Sequence, residues 1–283
     1  MCIRRDRAKG TITLDQELYV TKSLQRFGLE QCKTAATPAV TAAECAADEA
    51  DGGGAPADKD RYMEIVGTLL YAAISTRPDI AHAVQRLSRH MQAPLQRHMT
   101  AAERVLRYLA GTKQLGLVFG GAPLADGAPI EVQAYADADW ANDKTDRKSV
   151  SGWVVKVNGN VVSWASKKQR TVAQSTCEAE LYAQAAAINE IAWVKDLLQE
   201  MQLPVERCAT VFGDNQSTIA VMTNGVKGER TKHVDIKYHM VTEKVESGDI
   251  RLQWIASEAN QADIFTKALG RPLHEHFRAV LMQ

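Results

Sequence analysis

The sequence predicts an α/β protein, in which a mixed sheet flanked by helices follows a mainly helical segment. From about residue 114 the apolar residues recur with a period of two, as in strands, and after residue 175 helical and strand-like stretches alternate. Between residues 60 and 108 the apolar residues recur at helical spacing instead, for example Val66, Leu69, Leu70 and Ala73. We therefore expect a helical region followed by a sheet region.

The first 59 residues predict a small hairpin, one helix and a linker. Thr11–Leu14 and Glu17–Val20 are typical of two paired strands, and a helix is expected through Ser23–Phe27. Residues 34–59 are rich in Ala, Thr, Asp, Gly and Pro, which is typical of a flexible linker. The predicted domains are 1–33, the linker 34–59, the helical segment 60–120, and 125–283.

In the sheet region an antiparallel start precedes alternating helices and strands. Asn158–Gly159 lies between two alternating runs and is typical of a hairpin turn. The predicted strands cover 115–119, 130–137, 150–157, 160–165, 209–214 and 250–255. The predicted helices cover 176–200, 216–223, 232–247 and the chain from 261.

The overall charge of the 283-residue chain is zero, which argues against a generic electrostatic binder of nucleic acid. Residues 61–120 nevertheless carry eight Lys/Arg against three Asp/Glu, a local balance of +5. Either a phosphate-binding stripe or an ordinary solvated helix face explains this excess. The stripe would contain Arg86, Arg89, Arg97, Arg104, Arg107, His82, His90 and His98.

The five cysteines form no Cys-x-x-Cys pair, which predicts free thiols in a reducing compartment and neither a zinc knuckle nor a disulfide framework. The charged N-terminus does not resemble a signal peptide, and no apolar run reaches membrane-spanning length. The expectation is an intracellular, cytoplasmic protein without a membrane partner.

Four acidic residues lie where a predicted strand ends or a predicted helix begins, namely Asp137, Glu180, Asp214 and Asp263. Hard divalent cations take oxygen ligands, and two such ions can act on both sides of a phosphodiester bond. Without a cation, clustered carboxylates repel one another. The acids therefore predict a metal-dependent nuclease.

Glu180 has no structural explanation, whereas its neighbour Glu178 has one. Ser175 and Glu178 have the spacing of a capping box at the start of a helix. Glu180 is rotated away from Glu178 and shares its helix face with Ala183, Ala187 and Ile191. A carboxylate on an apolar face is costly unless a cation pairs with it.

The other three acids have structural alternatives. Asp137 and Asp139 point to the same side of a strand, so either could be the ligand. Asp214 precedes a helix and could cap it. Asp263 could be an ordinary first-turn acid of a helix capped by Asn260.

The sequence motifs around the acids resemble the ribonuclease H end of copia-type retrotransposon Pol polyproteins, and the resemblance covers nearly the whole chain. Around the acids it is carried by Tyr135–Trp140, Ser149–Trp153, Gln174–Tyr182, Asp214–Ser217, Thr231–His239 and Gln261–Lys267. Upstream it is carried by Arg26–Lys33, Val66–Tyr71, Ser75–Ile80 and Val105–Lys113.

This resemblance implies a ribonuclease H-like five-stranded mixed sheet over residues 125–283, which cleaves the RNA strand of an RNA/DNA hybrid. It makes Asp137 the first acid and assigns two Mg²⁺ ions, replaceable by Mn²⁺, to the four acids. It also makes residues 1–120 a remnant of the reverse transcriptase palm and thumb with its connection. The partner would be the upstream polymerase domain, and no polymerase activity is expected because its Asp-Asp pair would lie before residue 1.

Two alternatives remain, an inactive structural remnant and an integrase-type strand transferase. The integrase order requires a Glu after the second Asp, whereas here Glu180 lies before Asp214 and the later candidate is Asp249. The loop before Asp263 has no histidine, and His233 and His239 could approach the site or form a hydrogen-bonded helix face.

Candidate contacts to the hybrid are basic and small polar side chains near the acids. Basic side chains position phosphates, and small polar ones suit the 2′-hydroxyls of RNA. These candidates are Arg147, Lys148, Ser149, Lys167, Lys168, Arg170, Ser175, Thr176 and Gln216, the last three by resemblance. Capping is the alternative role for Ser175 and Thr176.

Overall fold

A computed structural model describes residues 1–40, 54–120, 127–142, 146–224 and 235–282. The chain divides by its contacts into two compact units, Met1–Gly121 with Lys267–Gln283, and Ala122–Thr266. The C-terminal segment, which we predicted within 125–283, therefore groups with the first unit. In the parts of the chain that the structure describes, no helix is both long and apolar enough to span a bilayer.

The first unit combines a three-stranded antiparallel sheet with helices. The strands pair in the order β1-β2-β3 and comprise β1 Cys2–Asp6, β2 Thr11–Asp15 and β3 Gly116–Phe119. The α-helices are α1 Glu17–Phe27, α2 Lys59–Ser75, α3 Ala81–Ser88, α4 Gln96–Gly111 and the last helix of the chain, Arg271–Leu281, with a short 3-10 helix at Pro78–Ile80. The helical region is thus confirmed.

The predicted strand Glu17–Val20 is wrong, because this stretch begins helix α1. Its apolar residues serve a helical face: Val20, Leu24 and Phe27 are buried together in the core of the first unit. Three or four residues separate each from the next, which suits a helix better than a strand. The hairpin instead pairs β2 with Cys2–Asp6.

A buried ion pair lies inside the first unit. Arg77 donates to both carboxylate oxygens of Asp79 at 2.9 and 2.8 Å, and both side chains are almost completely buried. The Tyr108 hydroxyl donates to Asp79 at 2.6 Å, and the His274 ring contacts the Asp79 carbonyl at 3.2 Å. The network links the 3-10 helix, α4 and the C-terminal helix. Such a charge pair tolerates burial because each partner neutralises the other.

The second unit contains the predicted mixed five-stranded sheet flanked by helices. The strands follow the order β6-β5-β4-β7-β8, with antiparallel pairing from β6 to β4 and parallel pairing from β4 to β8. They comprise β4 Val132–Asp139, β5 Val150–Val157, β6 Asn160–Lys168, β7 Ala209–Gly213 and β8 Ile250–Trp254. The Asn158–Gly159 turn joins β5 and β6 with φ values of 47° and 78°, as hairpin turns of this type require.

Helices of the second unit cover one face of the sheet. They comprise α5 Thr176–Glu200, α6 Gln216–Asn224 and α7 Asp235–Glu246, and short 3-10 helices follow at Ser257–Ala259 and Gln261–Phe265. Helix α5 packs on β4 and β5, and its buried alanines meet the alternate apolar residues of those strands. The predicted helix 232–247 is confirmed over Asp235–Glu246, and 232–234 lie outside the described residues, as do 41–53 of the predicted linker.

Candidate metal centre

Three carboxylates from three elements meet beside the sheet. Asp137 lies near the end of β4, and Asp214 directly follows β7. Because β4 and β7 are parallel neighbours, their carboxyl ends lie side by side. Glu180 reaches the same place from the start of α5, and one oxygen of each carboxylate lies within 4.8 Å of the other two. The structure therefore brings together three of the four predicted acids.

The contacts that cap the start of helix α5 are made by residues other than Glu180. The Ser175 hydroxyl accepts the Glu178 N–H at 3.1 Å, and a Glu178 oxygen accepts the Gln174 N–H at 2.7 Å. Glu178 also accepts the Tyr182 hydroxyl at 2.9 Å. Glu180 is only 6% exposed, on the buried face predicted for it. The buried face of Glu180 is confirmed. Glu178 has a structural role at the helix start, but its side chain accepts from Gln174 and not from the cap residue Ser175, as a full capping box would require.

Asp137, rather than Asp139, belongs to the acidic cluster. Its carboxylate is 1% exposed and accepts a hydrogen bond from the Thr266 hydroxyl. Asp139, two residues later, accepts from the side chain of Asn142 in the following turn. Of the two candidates that the sequence left open, Asp137 lies in the group of three carboxylates, and its role as a metal ligand stays a prediction.

Asp214 is not needed as the cap of α6. The side chain of Asn215 accepts the Thr218 N–H at 3.0 Å, so Asn215 performs that role. An oxygen of Asp214 accepts the Ser257 hydroxyl at 2.7 Å, and the Trp254 indole donates to the Asp214 carbonyl at 3.0 Å. The loop after β8 thus fixes Asp214 beside the other acids. Ser257 was not identified from the sequence.

Asp263 lies outside the group of three carboxylates. It is buried in the 3-10 helix Gln261–Phe265, whose N-terminus is capped by Asn260 through the Ala262 N–H at 3.2 Å. The same Asn260 donates to the Ala136 carbonyl at 3.1 Å, next to Asp137. Asp263 is therefore held close to β4 by its helix, and its role as a fourth ligand stays a prediction.

The three carboxylates fit a hard divalent cation. Mg²⁺ holds oxygen ligands at about 2.1 Å, so ligands of one ion are separated by up to about 4.2 Å. Oxygens of Asp137, Glu180 and Asp214 that lie within 4.8 Å of one another are close to this arrangement. All three donors are carboxylates, which suits Mg²⁺ or Mn²⁺ better than a soft metal.

Most candidate hybrid contacts lie at the surface. The exposed members are Arg147, Lys167, Arg170, Ser175, Thr176 and Gln216. Lys148 and Lys168 are half-buried, and Lys168 pairs with Asp146 at 2.8 Å. Ser149 is completely buried, and its hydroxyl accepts the Ala141 N–H at 3.1 Å. Ser149 therefore fixes a turn and is removed from the set.

Three members of the basic group in the first unit have structural roles that do not involve phosphate. Arg104 donates to the main-chain carbonyl of Thr37, inside the predicted linker, at 3.2 Å, and Arg107 donates to that of Lys33, just before the linker, at 2.7 Å. His82 is buried in α3, where burial lowers its pKa to about 3. Packing explains these three side chains. In the second unit His239 is exposed and contacts Tyr238, and His233 lies outside the described residues.

The chain is similar to retrotransposon polyproteins over nearly its full length. It is 37% identical over 276 residues to the Retrovirus-related Pol polyprotein from transposon TNT 1-94 of Nicotiana tabacum, which covers 96% of this chain and 20% of that protein. It is 35% identical over 275 residues to the Retrovirus-related Pol polyprotein from transposon RE1 of Arabidopsis thaliana, with 97% and 18% covered. The chain thus spans about a fifth of these relatives.

Among solved structures the chain is similar to LC11-RNase H1 in complex with an RNA/DNA hybrid. The identity is 18%, the TM-score is 0.38, and the match covers 48% of this chain and 94% of that one. No protein-family model matches the chain. The fold assignment therefore rests on the strand order and on the elements that carry the acids.

Proposed function

Because this chain belongs to the family of copia-type retrotransposon Pol polyproteins, we propose that its second unit acts as a ribonuclease H, which hydrolyses the RNA strand of an RNA/DNA hybrid. The cluster of Asp137, Glu180 and Asp214 carries this proposal. Each acid comes from a different element, and the elements follow in the order strand, helix, strand. That order matches the family resemblance and supports a catalytic role.

The acids would hold the cation cofactor. Asp137, Glu180 and Asp214 would bind Mg²⁺ or Mn²⁺, and Asp263 would complete a set for two ions. When bound, such ions activate water and stabilise the leaving oxygen of a phosphodiester. Helix α5 and strands β4 and β7 keep the three carboxylates fixed, so little reorganisation is needed when a substrate arrives.

The surface near the acids would hold the hybrid. The side chains of Ser175 and Thr176 are exposed at the start of α5, five and four residues before Glu180. Lys167 and Arg170 are exposed at the end of β6 and just after it, and Gln216 begins α6. Basic groups there would contact phosphates, and small polar groups would contact 2′-hydroxyls.

An integrase-type strand transferase is less well supported. Its third acid would have to follow Asp214, where the candidate is Asp249. That residue lies in a turn and forms ion pairs with Arg207 at 3.6 Å and Lys244 at 3.4 Å. These contacts explain Asp249 without a metal. Whether the chain is an inactive remnant, and whether it works with an upstream polymerase domain, are separate questions. The matched relatives are about five times longer than this chain.

Purified full chain and a labelled RNA/DNA hybrid test the proposal. Cleavage of the RNA strand is expected with Mg²⁺ or Mn²⁺ and is absent in chelator. Single-stranded RNA and duplex DNA remain largely intact. Asp214→Asn, prepared in the same way, controls for contaminating nuclease. If the folded chain cuts no hybrid with either metal, the remnant interpretation stands, and joining of DNA ends would favour the integrase.

A further inference from the structure

The residue that follows the 3-10 helix Gln261–Phe265 contacts the first acid of the cluster. Thr266 is completely buried, and its hydroxyl donates a hydrogen bond to Oδ2 of Asp137. The Thr266 N–H donates to the Asp263 carbonyl at 3.1 Å, and the same carbonyl lies 3.2 Å from the hydroxyl oxygen. A hydroxyl has one proton, and a bond to a charged carboxylate is stronger than one to a neutral carbonyl. The proton therefore belongs to the contact with Asp137.

The sheet is shaped to receive this helix. Gly152 on β5 is the register partner of Asp137 on β4. A Cβ atom at Gly152 would lie 2.7 Å from Cβ of Phe265 and 2.7 Å from Cγ2 of Thr266, which is too close for any side chain. The missing side chain thus lets the methyl group of Thr266 rest on the strand. At the other end of the helix, Asn260 donates to the Ala136 carbonyl at 3.1 Å.

Two attachments therefore flank Asp137. Asn260 holds the main chain just before it, and Thr266 holds its carboxylate. Neither contact is needed to pair the strands, because β4 and β5 are already joined by their own ladder. Both contacts lie between the cluster of three acids and the helix that carries Asp263. Their position suits a role in holding Asp137 in place at the acidic centre, in addition to general packing.

We propose that Thr266 is a positioning residue of the acidic centre, which orients the Asp137 carboxylate toward Glu180 and Asp214 through its hydroxyl. The inference rests on the proposed metal-dependent function. Carboxylates that bind metals are themselves hydrogen-bonded by neighbouring groups, and loss of such a partner commonly weakens metal affinity or activity by about 10- to 100-fold. Thr266 also ties this carboxylate to the main chain of Asp263, so the first and fourth acids share one support.

A purely structural role for Thr266 makes a different prediction. If its methyl group matters only because it fills the space above Gly152, a side chain of equal shape without the hydroxyl serves equally well. Thr266→Val keeps the shape and removes the hydrogen bond, whereas Thr266→Ser keeps the hydroxyl and removes the methyl group. The two substitutions therefore separate positioning from packing.

The test measures metal binding apart from turnover. The melting temperature of the full chain is recorded against Mg²⁺ and Mn²⁺ concentration, and the cleavage rate of the hybrid is measured over the same range. Thr266→Val should need about 10- to 100-fold more metal for half of the stabilisation and for half of the maximal rate. Thr266→Ser should recover most of that loss.

Thr218→Val is the matched control. Thr218 is also completely buried in the second unit, but its hydroxyl has no hydrogen-bond partner among the described residues. Removal of that hydroxyl should leave metal affinity unchanged and should not lower stability. A general effect of replacing buried threonine would appear in both variants, whereas a positioning effect appears only at Thr266.

The outcomes separate the two levels of inference. If the parent chain is stabilised by metal and cuts the hybrid, and Thr266→Val does both at the same metal concentration, Thr266 only packs and the inference is overturned. Equal losses in Thr266→Ser and Thr266→Val would likewise point to packing. If the parent chain neither responds to metal nor cleaves, the proposed function fails first, and the positioning role fails with it.

Discussion

Substitution of two glutamates on the same helix gives a sharp test of the acidic centre. Glu180→Gln removes a carboxylate from the cluster with little change in shape. We expect loss of hybrid cleavage, because the remaining carboxylates no longer provide the charge that holds the cation. In chelator we also expect a higher melting temperature than that of the parent, because one source of repulsion between carboxylates is gone.

The size of the stabilisation follows from the spacing of the acids. Two carboxylates within 4.8 Å repel each other by at least about 3 kcal/mol at an effective dielectric constant of about 20. Asp214 is half-buried, so solvent screens part of this, and side-chain movements relieve more. We expect a net gain of about 1 kcal/mol, which corresponds to a rise of about 2–4 °C for a protein of this size.

Glu178→Gln is the matched control, two residues away on the same helix. This substitution weakens the acceptor for the Gln174 N–H and the Tyr182 hydroxyl. Because the amide keeps one oxygen, the expected loss is about 0.5–1 kcal/mol of stability. Cleavage should continue nearly unchanged, since Glu178 lies outside the group of three acids.

The assay is thermal melting in chelator combined with the initial rate of hybrid cleavage in Mg²⁺. The expected pattern is a crossed one, with Glu180→Gln stable and inactive and Glu178→Gln less stable and active. If Glu178→Gln abolishes cleavage and Glu180→Gln does not, the assignment of the helix face is wrong. If Glu180→Gln lowers the melting temperature in chelator, the repulsion argument is refuted.

Three further predictions concern the interior. Gly152→Ala should destabilise the protein by about 1–3 kcal/mol in urea melts and reduce cleavage, because the new Cβ would lie 2.7 Å from atoms of the segment that carries Asp263. Gly67→Ala in α2 is the control, because a Cβ there meets nothing within 4 Å, and it should be neutral or stabilising. Asp79→Asn should cost about 3–5 kcal/mol by leaving Arg77 buried without its carboxylate. Burial alone would raise the pKa of Asp79, but Arg77 and hydrogen bonds lower it below 3.8. The Asp79 carboxylate therefore stabilises the protein above pH 4. The difference in stability between Asp79→Asn and the parent should shrink as the pH falls further. Burial lowers the pKa of Lys156 to about 8, so Lys156→Met should raise the melting temperature at pH 7. This gain in melting temperature should vanish as the pH rises from 8 to 10.5. A constant gain across that range would contradict the explanation.

The sequence was informative where one residue type had no structural explanation. Glu180 lies on a helix face that it shares with the apolar residues Ala183, Ala187 and Ile191, and that conflict predicts a functional carboxylate. The strand alternation and the Asn158–Gly159 turn likewise specify most of the sheet, since both reflect local backbone geometry. These predictions depend on short stretches of chain.

The predictions that failed depend on long-range packing. Glu17–Val20 alternates like a strand, but its apolar residues are recruited to a helical core. Ser149 looked like a surface residue beside two basic ones, yet the adjacent turn buries it. Thr266 belongs to a motif that the sequence analysis identified, but its contact with Asp137 requires knowledge of which strand its helix meets. Gly152 gave a signal in principle, because a glycine inside a strand often marks close approach of another segment.

The parallel pairing of β4 with β7 has a consequence for the order of folding. Gln133–Tyr135 pair with Thr210–Phe212, so this contact closes a loop that contains a hairpin and the whole of α5. Pairing across such a long loop is entropically costly and belongs to the late steps of folding. During synthesis, Asp137 and Glu180 leave the ribosome before the strand that delivers Asp214. We therefore expect hybrid cleavage to appear only when the sheet is complete, so that a nascent or truncated chain ending before Ala209 leaves an RNA/DNA hybrid intact.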